Sequence, residues 1–411
     1  GNTKTGTITV DIVDDIPTAS ADVNSVAEGG LVTGNVLTDG TDDVFGADGP
    51  TVAGQGVVGV RASGGDTTTD VLTGVGTQIS GLYGKLTLQA NGGYSYDGDP
   101  NVVPEAGATD IFVYTIKDGD GDLSTTTLTI SLTDSGLMAP DDNDAKVYEQ
   151  ALDLNQDGLD LAAGTVTGSL PGSTGETDAT NQLNATGGVG TLTYSLVGSA
   201  TGTYGTIQIN SDGSYVYTLT KPYDTTPDAD NDANTEENKD SFTYQVTDAN
   251  GNTKTGTITV DIVDDIPTVG TVTAEMLDDE GLTYGIVGEA INGDIAGELI
   301  TTSGTLTGLF GADGAGSIGF AAMDGDTGKV GTETVTYDWD SGTNTLTAVS
   351  GTRGTIFTIL VTDPVTGDYT LTLNKAVLHE SLDGLTGDNT ENDATLALTY
   401  TVTDGDGDEA E

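Results

Sequence analysis

The residues in this sequence best suited to chemistry are aspartates spaced two positions apart. Two runs with the sequence DGDGD hold them, one comprising Asp118, Asp120 and Asp122 and the other Asp404, Asp406 and Asp408. Calcium takes several oxygen ligands from carboxylates and carbonyls, so carboxylates gathered on one side of a loop could bind it. The same letters also suit a plain turn, because aspartate side chains hydrogen-bond to nearby backbone amides. Both interpretations, a calcium ligand set and an Asx turn, fit the two runs.

Each run belongs to a segment in which apolar and polar residues alternate on either side of a loop. The arrangement occurs three times, in segments 110–134, 240–264 and 396–411. In the middle segment the loop holds Asp248, Asn250 and Asn252 instead of three aspartates. Alternation with a period of two is typical of β-strands, and two such strands joined by a short glycine-rich loop predict a β-hairpin.

Repeats divide the chain into three units. Residues 1–18 are identical to residues 251–268. Upstream of each hairpin lies another strand–turn–strand pair, at 84–97, 205–220 and 354–374. Short strands about every 8–12 residues, with no helical periodicity, predict an all-β protein of tandem immunoglobulin-like β-sandwiches. The predicted units are an orphan final strand with its linker at 1–18 and domains at 19–136, 137–266 and 267–411.

The chain termini carry two further expectations. Residues 1–10 match the final strand of the middle domain, whereas the third domain stops just past its hairpin loop, at Glu411. We therefore expect a spare strand at one end and an open sheet edge, in the least stable domain, at the other. Open edges favour strand addition, so weak head-to-tail pairing between chains is predicted, with disordered residues 1–10 as the alternative.

Acidic, proline-containing linkers add further candidate ligands. They are Asp11, Asp14 and Asp15 in segment 11–18, Asp141, Asp142 and Asp144 in segment 132–144, and Asp261, Asp264 and Asp265 in segment 261–268. In an immunoglobulin-like sandwich the final hairpin loop lies at the N-terminal end of its own domain, so each DGDGD run should approach the linker that enters its domain. Crowded carboxylates repel unless a cation neutralises them, which predicts composite calcium sites. Linkers that remain separately solvated are the alternative.

The middle domain departs from this pattern, since its loop has lost charge while its incoming linker has gained it. Four residues of segment 153–161 match positions of an EF-hand calcium loop, namely Asp153, Asn155, Asp157 and Gly158. Gly164 stands where an EF-hand needs glutamate, which excludes a normal EF-hand and leaves a calcium-binding loop or an Asx-rich turn. The middle domain also lacks the motif FGADG, which the outer domains share at 45–49 and 310–314.

Composition excludes several classes of function. With 65 acidic and 11 basic residues the net charge is −54, which leaves no basic surface for phosphates and excludes nucleic-acid binding. No run of ~18 apolar residues occurs, so no insertion into a membrane is predicted. The chain has no cysteine and one histidine, His379, and it lacks the H-E-x-x-H and G-x-S-x-G motifs. These absences predict that it is not an enzyme.

The repeated pattern resembles a known family. Units carrying G-x-L-x-turn-G-x-Y-x-Y, F-x-Y-x-V-x-D-x-x-G and T-x-T-I-x-V are similar to the cadherin-like repeats, including the VCBS type, of giant RTX and biofilm-associated bacterial adhesins. The resemblance covers essentially the whole chain. It implies a rod of three cadherin-like domains with calcium at the joints, secreted by a type I system to the bacterial cell surface. The RTX nonapeptides and the secretion signal would lie elsewhere in the parent protein.

The resemblance implies a mechanical function. The chain would be an extender that holds a distal ligand-binding region away from the cell for adhesion and biofilm formation, with calcium ions and neighbouring repeats as its partners. The alternative is that one domain is itself a carbohydrate- or protein-binding module. The third domain is the best candidate, because it is the longest and contains the only tryptophan, Trp339. Trp339 fits a core or strand-edge position, or an exposed surface that stacks on a sugar.

Overall fold

A computed structural model describes residues 1–104, 107–153, 167–223, 233–285, 299–378 and 394–411. Regular structure in these ranges is β-strand apart from three single-turn 3-10 helices, at Glu149–Ala151, Asp279–Gly281 and Ala321–Met323. None of the helices found in these ranges is long and apolar enough to cross a membrane. The all-β class predicted from the alternating sequence is confirmed.

Eight strands form the first domain. They are β1 (Asp22–Ala27), β2 (Leu31–Asn35), β3 (Val57–Ala62), β4 (Gln78–Ser80), β5 (Gly84–Leu88), β6 (Gly93–Gly98), β7 (Ala108–Lys117) and β8 (Leu123–Thr133). One sheet has the order β1-β8-β7-β3 and the other β2-β6-β5-β4. Strand β1 runs parallel to β8, and the other neighbours are antiparallel. This is the arrangement of an immunoglobulin-type sandwich, with Tyr96, Phe112 and Ile130 fully buried in its core.

In its described residues, the second domain repeats this arrangement with seven strands. They are β9 (Asp142–Tyr148), β10 (Thr177–Gln182), β11 (Thr193–Val197), β12 (Gly205–Ile209), β13 (Ser214–Leu219), β14 (Thr235–Thr247) and β15 (Thr253–Val263). Its sheets have the orders β11-β14-β15-β9 and β10-β13-β12, and β9 runs parallel to β15. Tyr215, Tyr244 and Ile258 are fully buried in its core.

The third domain extends one of the two sheets. Its strands are β16 (Thr268–Val269), β17 (Thr301–Thr305), β18 (Gly308–Leu309), β19 (Ala315–Gly319), β20 (Thr327–Val330), β21 (Glu333–Asp340), β22 (Thr345–Ser350), β23 (Gly354–Asp363), β24 (Asp368–Leu373), β25 (Thr401–Asp404) and β26 (Glu409–Ala410). The sheet β19-β25-β26 corresponds to β3-β7-β8 of the first domain. The larger sheet, β17-β24-β23-β22-β21-β20, corresponds to β2-β6-β5-β4 with β21 and β20 added at its edge, while β16 pairs with β18.

In each of the first two domains, a buried aspartate connects a loop to the core by hydrogen bonds. The Tyr96 hydroxyl donates to Asp110 Oδ2 over 2.7 Å, and the Tyr217 hydroxyl donates to Asp240 Oδ2 over 2.6 Å. Backbone amides of the preceding loop donate to both oxygens of each carboxylate. Because every carboxylate oxygen has a donor, these two acids hold the fold and are not candidates for a metal.

The two copies of the 18-residue repeat have different structures. In the second copy, β15 lies between β14 and β9, and Ile258 and Val260 are fully buried. In the first copy, residues 1–17 form no strand and Ile8 is 86% exposed. The predicted final strand at 1–10 is therefore not formed within this chain. The same alternation forms a strand only where neighbouring strands supply hydrogen-bond partners and a core.

Candidate metal centre

The aspartates of the final hairpin loops first close the loops themselves. Asp118 Oδ1 accepts hydrogen bonds from the backbone amides of Gly121 and Asp122, at 3.0 and 2.7 Å. Asp404 Oδ1 accepts two equivalent bonds within its own loop, at 3.1 and 2.8 Å. The Asx-turn interpretation therefore describes one oxygen of the first aspartate in each run.

The second oxygen of that aspartate distinguishes the three loops. Asp118 Oδ2 and Asp404 Oδ2 are buried and accept no hydrogen bond. Asp248 Oδ2, in the middle domain, accepts hydrogen bonds from the Val189 amide and the Asn252 side chain, each at 2.9 Å. A buried carboxylate oxygen without a donor is unfavourable. The loops of the outer domains thus present an oxygen to a cation, and the loop of the middle domain does not.

Five carboxylates meet at the joint between the second and third domains. Glu149, Asp264 and Asp313 each offer an oxygen within 4.8 Å of the others, and so do Asp313, Asp404 and Asp406. Glu149 begins the 3-10 helix that follows β9, Asp264 directly follows β15, and Asp313 precedes β19. Both domains and the linker therefore contribute, and Asp313 belongs to both groups. We call these five residues the carboxylate cluster.

The cluster combines predicted ligands with two that sequence reasoning missed. Asp264, Asp404 and Asp406 come from the predicted linker and loop, and Asp408 is fully buried in the same loop. Glu149 and Asp313 are the additions. The only sequence signal for Asp313 is the FGADG motif that the outer domains share, whereas Glu149 follows a strand without any motif of its own.

Burial makes these carboxylates difficult to ionise. Removal from water is the main cause that raises the pKa of Glu149 to about 10, of Asp313 to about 9 and of Asp404 to about 8. The negative charges of Asp264 and Asp406 raise the pKa of Asp313 further. Like charges in a poorly hydrated site disfavour ionisation in this way. Either protons or a cation must therefore neutralise the cluster.

Several oxygens of the cluster suit calcium. Glu149 Oε2, both carboxylate oxygens of Asp313 and Asp404 Oδ2 are buried and make no hydrogen bond. The donor atoms gathered here are all carboxylate oxygens, which hard cations such as calcium prefer over the nitrogen and sulfur ligands of zinc or copper. The residues at this joint therefore fit a calcium ion.

Asp265, another predicted ligand, connects the two domains by hydrogen bonds instead. Its Oδ2 accepts from the amide of Ser169 in the second domain, at 2.7 Å, and from that of Ala312 in the third, at 2.9 Å. The Ser169 hydroxyl donates to its Oδ1. Gly311, at φ 81°, permits this close approach, since a Cβ there would lie 2.5 Å from Asp265 Oδ2. Asp265 thus orients the linker beside the cluster.

The linker before the first domain repeats part of this arrangement. Asp14, Asp48 and Asp120 offer oxygens within 4.8 Å of one another, all from exposed residues. The loop that carries Asp48 donates a backbone amide to Asp15 Oδ2 at 3.0 Å. Asp48 holds the position in FGADG that Asp313 holds in the third domain. The first DGDGD run and its linker therefore do come together.

The other acidic residues of this loop and linker divide into two cases. Asp118, Asp120 and Asp122 form a further group with oxygens within 4.8 Å of one another. Protonated Asp120 can donate a hydrogen bond to Asp118, and this is the main cause that raises the pKa of Asp120 to about 6. Asp11 is exposed and belongs to none of the carboxylate groups found among the described residues.

Hydrogen bonds, most of them donated by amides, connect the groups at the joint between the first and second domains. The side-chain nitrogens of Asn250 and Asn252 donate to the backbone oxygen of Glu28, at 3.2 and 3.3 Å. The Asn252 side-chain oxygen accepts from the Asn101 amide at 3.1 Å. The Glu28 carboxylate accepts from the amide and hydroxyl of Ser135, at 3.1 and 2.9 Å. These polar groups at the joint are therefore satisfied by hydrogen bonds.

The acidic residues predicted for this joint lie around β9. Asp141 Oδ1 accepts from the Thr257 amide at 2.8 Å, and Asp142 Oδ1 accepts from the Tyr215 hydroxyl at 2.7 Å. Asp144 is exposed, and its amide donates to Asp142 Oδ1 at 3.3 Å. Their carboxylates are not brought into any of the groups found in the described parts of the chain.

Two more residues singled out by sequence lie outside the cluster. Asp261 is part of β15 and its Oδ1 accepts from the Asn238 amide at 2.9 Å. Asp153, the first position of the EF-hand-like segment, is described but is in none of the carboxylate groups. Asn155, Asp157 and His379 lie outside the described residues.

Two parts of the chain match known family models. Residues 161–261 match a bacterial Ig domain, and residues 278–411 match a domain of unknown function, DUF5801. The chain is a tandem array of immunoglobulin-like domains. Neither family description names a catalytic activity. The curated proteins contain no match.

Among solved structures, the chain is similar to extracellular cadherin domains. The protocadherin gamma B4 extracellular domain is 12% identical over 89% of this chain and 44% of its own, at a TM-score of 0.28. Cadherin domains 1–4 of protocadherin gamma B7 are 10% identical over 89% of this chain and 68% of their own, at 0.24. The human desmocollin-1 ectodomain is 10% identical over 96% of this chain and 57% of its own, at 0.23. Similarity at such TM-scores supports no inference about function.

Proposed function

We propose that the chain is an extracellular spacer of a bacterial surface adhesin, in which calcium fixes the joint between the second and third domains. The observation that carries the proposal is the pair of buried, hydrogen-bond-free oxygens of Asp313, which belongs to one carboxylate group with Glu149 and to another with Asp404. A carboxylate held this way in a folded protein is suited to a cation.

The two domains would share the ion. Glu149 belongs to the second domain, Asp264 to the linker, and Asp313 and Asp404 to the third domain. Calcium, when bound, supplies the positive charge that offsets their mutual repulsion. The chain's own residues set the geometry, because Asp265 and the Asx turn of Asp404 hold linker and loop in place. Without the ion, the same carboxylates must take up protons or repel one another across the joint.

An extracellular location accords with this chemistry. Calcium sites of extracellular modules have dissociation constants of ~10⁻⁴–10⁻³ M, which suits a medium rich in calcium. The net charge of −54 favours solubility and opposes lateral association of neighbouring spacers. The match to a bacterial Ig domain supports a bacterial surface protein. We further propose that the parent protein is a type I-secreted RTX or biofilm-associated adhesin with its ligand-binding region beyond this spacer.

Calcium titration combined with small-angle scattering tests the proposal. Calcium should bind with a dissociation constant of ~10⁻⁴–10⁻³ M, extend the maximum dimension and raise the melting temperature. Asp313→Asn should abolish these effects at the joint between the second and third domains. The control is Asp338→Asn, which changes an exposed residue of β21 and should leave the effects intact. A scattering profile and melting curve that do not respond to calcium or EGTA would contradict the proposal.

A further inference from the structure

A small cavity lies beside Trp339 in the third domain. Its volume is about 230 Å³. Strands β19 and β25 form one side, and the turn between β21 and β22 forms another together with Pro364. Within the sheet, Gly319 of β19 pairs with Thr401 of β25, and Ser317 pairs with Thr403. The cavity thus sits where the added strands of this domain meet its shorter sheet.

The wall of this cavity presents hydroxyl and amide groups but no charge. Its polar side chains are Ser317, Ser341, Asn344, Thr401 and Thr403. All residues of the wall are uncharged, in a chain whose net charge is −54. Half of the wall residues are thus polar, and polar groups in a cavity wall fix the orientation of a small ligand. This wall therefore suits a neutral molecule rich in hydroxyl groups.

The Thr401 hydroxyl is an unsatisfied polar group in this wall. The residue is only 3% exposed, and its Oγ1 is buried without a hydrogen bond. Buried hydroxyls normally have a partner, because leaving one unpaired destabilises the fold. A hydroxyl of a ligand seated in the cavity would supply the missing partner once the Thr401 side chain turns its Oγ1 toward the cavity.

Trp339 is held at the wall by its neighbours. A Cβ at position 319 would lie 2.9 Å from Trp339 Cζ2, so glycine there lets the indole lie against β19. Phe320 meets the indole at 62° with ring centroids 6.0 Å apart, and Asp324 accepts the Trp339 amide at 3.0 Å. A fixed aromatic ring combines an apolar surface with low conformational entropy cost, which suits the C–H face of a sugar ring.

We propose that this cavity binds one ring of a neutral saccharide, packed against Trp339 and hydrogen-bonded to Thr401. The volume is smaller than the ~300–1,000 Å³ of sites for drug-sized ligands, so it holds a single ring. Anionic sugars are disfavoured by the negative field of the chain. Such binding would give the third domain a recognition role beyond that of a spacer, and it does not depend on calcium at the joint.

Tryptophan fluorescence of the full chain tests the proposal directly, because Trp339 is the only tryptophan. Neutral methyl hexosides, methyl pentosides and N-acetylhexosamines are titrated, with glucuronate as the anionic comparison. At least one neutral sugar should shift the emission saturably with a dissociation constant of ~1–10 mM, and saturation-transfer NMR should show contact with its ring protons. No saturable shift with any neutral sugar, or a response to glucuronate alone, would overturn the proposal.

Thr401→Val separates a binding hydroxyl from a structural one. It should weaken sugar binding at least ~5-fold, since the ligand loses its partner. It should also raise the melting temperature of the sugar-free chain by about 2–4 °C, because an unsatisfied buried hydroxyl is removed. Thr336→Val, on the exposed face of β21, is the matched control and should change neither. A Thr401→Val chain that binds the sugar as tightly as the parent would show the proposal to be wrong.

Discussion

Glu28 and Glu149 hold the same place in consecutive domains, directly after the strand that runs parallel to the final strand, yet their carboxylates differ. Glu28 Oε1 accepts from the Ser135 amide and hydroxyl, and its Oε2 accepts from the Val103 amide at 3.3 Å. Glu149 Oε2 is buried and accepts none. One joint is thus closed by hydrogen bonds, while the next has acceptors in excess. The two joints should therefore respond differently to calcium.

Removal of calcium by a chelator should loosen the joint between the second and third domains and leave the joint between the first and second domains intact. The chain has no cysteine, so spin labels can be attached at single introduced cysteines. The exposed residues Thr109, Thr243 and Thr336 provide one position on each domain. We expect the 243–336 distance distribution to broaden when EGTA is added, because the cluster loses its cation, and the 109–243 distribution to stay narrow. Equal broadening at both joints would contradict the difference inferred from Glu28 and Glu149.

Asn252→Asp should make the first joint depend on calcium. Asn252 Nδ2 donates to Asp248 Oδ2 at 2.9 Å and to the Glu28 carbonyl at 3.3 Å. Aspartate would remove both donors and place a second carboxylate against Asp248. We expect a loss of ~2–4 kcal/mol in the free energy of unfolding without calcium, and recovery at ~1 mM calcium. Thermal melts with and without calcium measure both effects.

The control for this change is Asn210→Asp, in the exposed turn between β12 and β13. It adds the same charge to the same domain but lies outside the joint, so its melting curve should not gain calcium dependence. If the Asn252→Asp chain is equally stable with and without calcium, the idea that amide donors take the place of calcium at this joint is wrong.

Sequence alone could predict the scaffold of the site but not its full membership. Alternation around each loop gave the hairpins, and sandwich topology placed Asp404 near the linker that holds Asp264. Glu149 could not be found this way, because it joins the cluster only through packing of two domains. The hydrogen-bonded joint was equally out of reach, since Asn250 donates to a backbone oxygen 222 residues away. Residues 1–18 and 251–268 show the same limit, because identical letters form a strand in only one setting.

Glu149→Gln and Asp404→Asn should weaken the same calcium-binding event in a non-additive way. The two residues lie in different domains, and each meets Asp313 in one of its two groups. If both residues help to hold the same ions, the first substitution already removes most of the calcium-binding free energy that the second could remove. The loss in the double variant should therefore be smaller than the sum of the two single losses by ~1 kcal/mol or more. Isothermal calorimetry on the four chains of the cycle gives the coupling.

A matched cycle tests whether this coupling is specific. This cycle combines Glu149→Gln with Asp120→Asn. Asp120 belongs to the Asp14–Asp48–Asp120 group, at the linker before the first domain, and not to the cluster. The losses of calcium-binding free energy in these two single variants should add within ~0.3–0.5 kcal/mol. Additivity in the first cycle as well would mean that Glu149 and Asp404 do not act on a common site.

Two buried aspartates share one tyrosine hydroxyl in the first domain, away from any carboxylate group described above. The Tyr114 hydroxyl lies 2.9 Å from Asp22 Oδ2 and 3.2 Å from Asp43 Oδ2, and it can donate only one hydrogen. Asp22 Oδ1 is buried without a partner. Burial is the main cause that raises the pKa of each aspartate to about 6, and the charges of neighbouring Asp39 and Asp42 add to it.

The first domain should therefore lose stability as the pH rises from about 4 to about 7. Both carboxyls bind a proton more tightly in the folded state, at a pKa of about 6, than in the unfolded state, at 3.8. Their contribution is complete below the unfolded pKa and is lost as the pH rises through the folded one, by up to ~3 kcal/mol for each carboxyl. Hydrogen exchange of β7 and β8 amides, in calcium throughout, measures this domain specifically. Asp43→Asn imitates the protonated acid and should remove the share of the pH dependence that Asp43 contributes, while the exposed Asp42→Asn should keep the dependence. An unchanged slope in Asp43→Asn would mean that this pair of carboxyls does not control it.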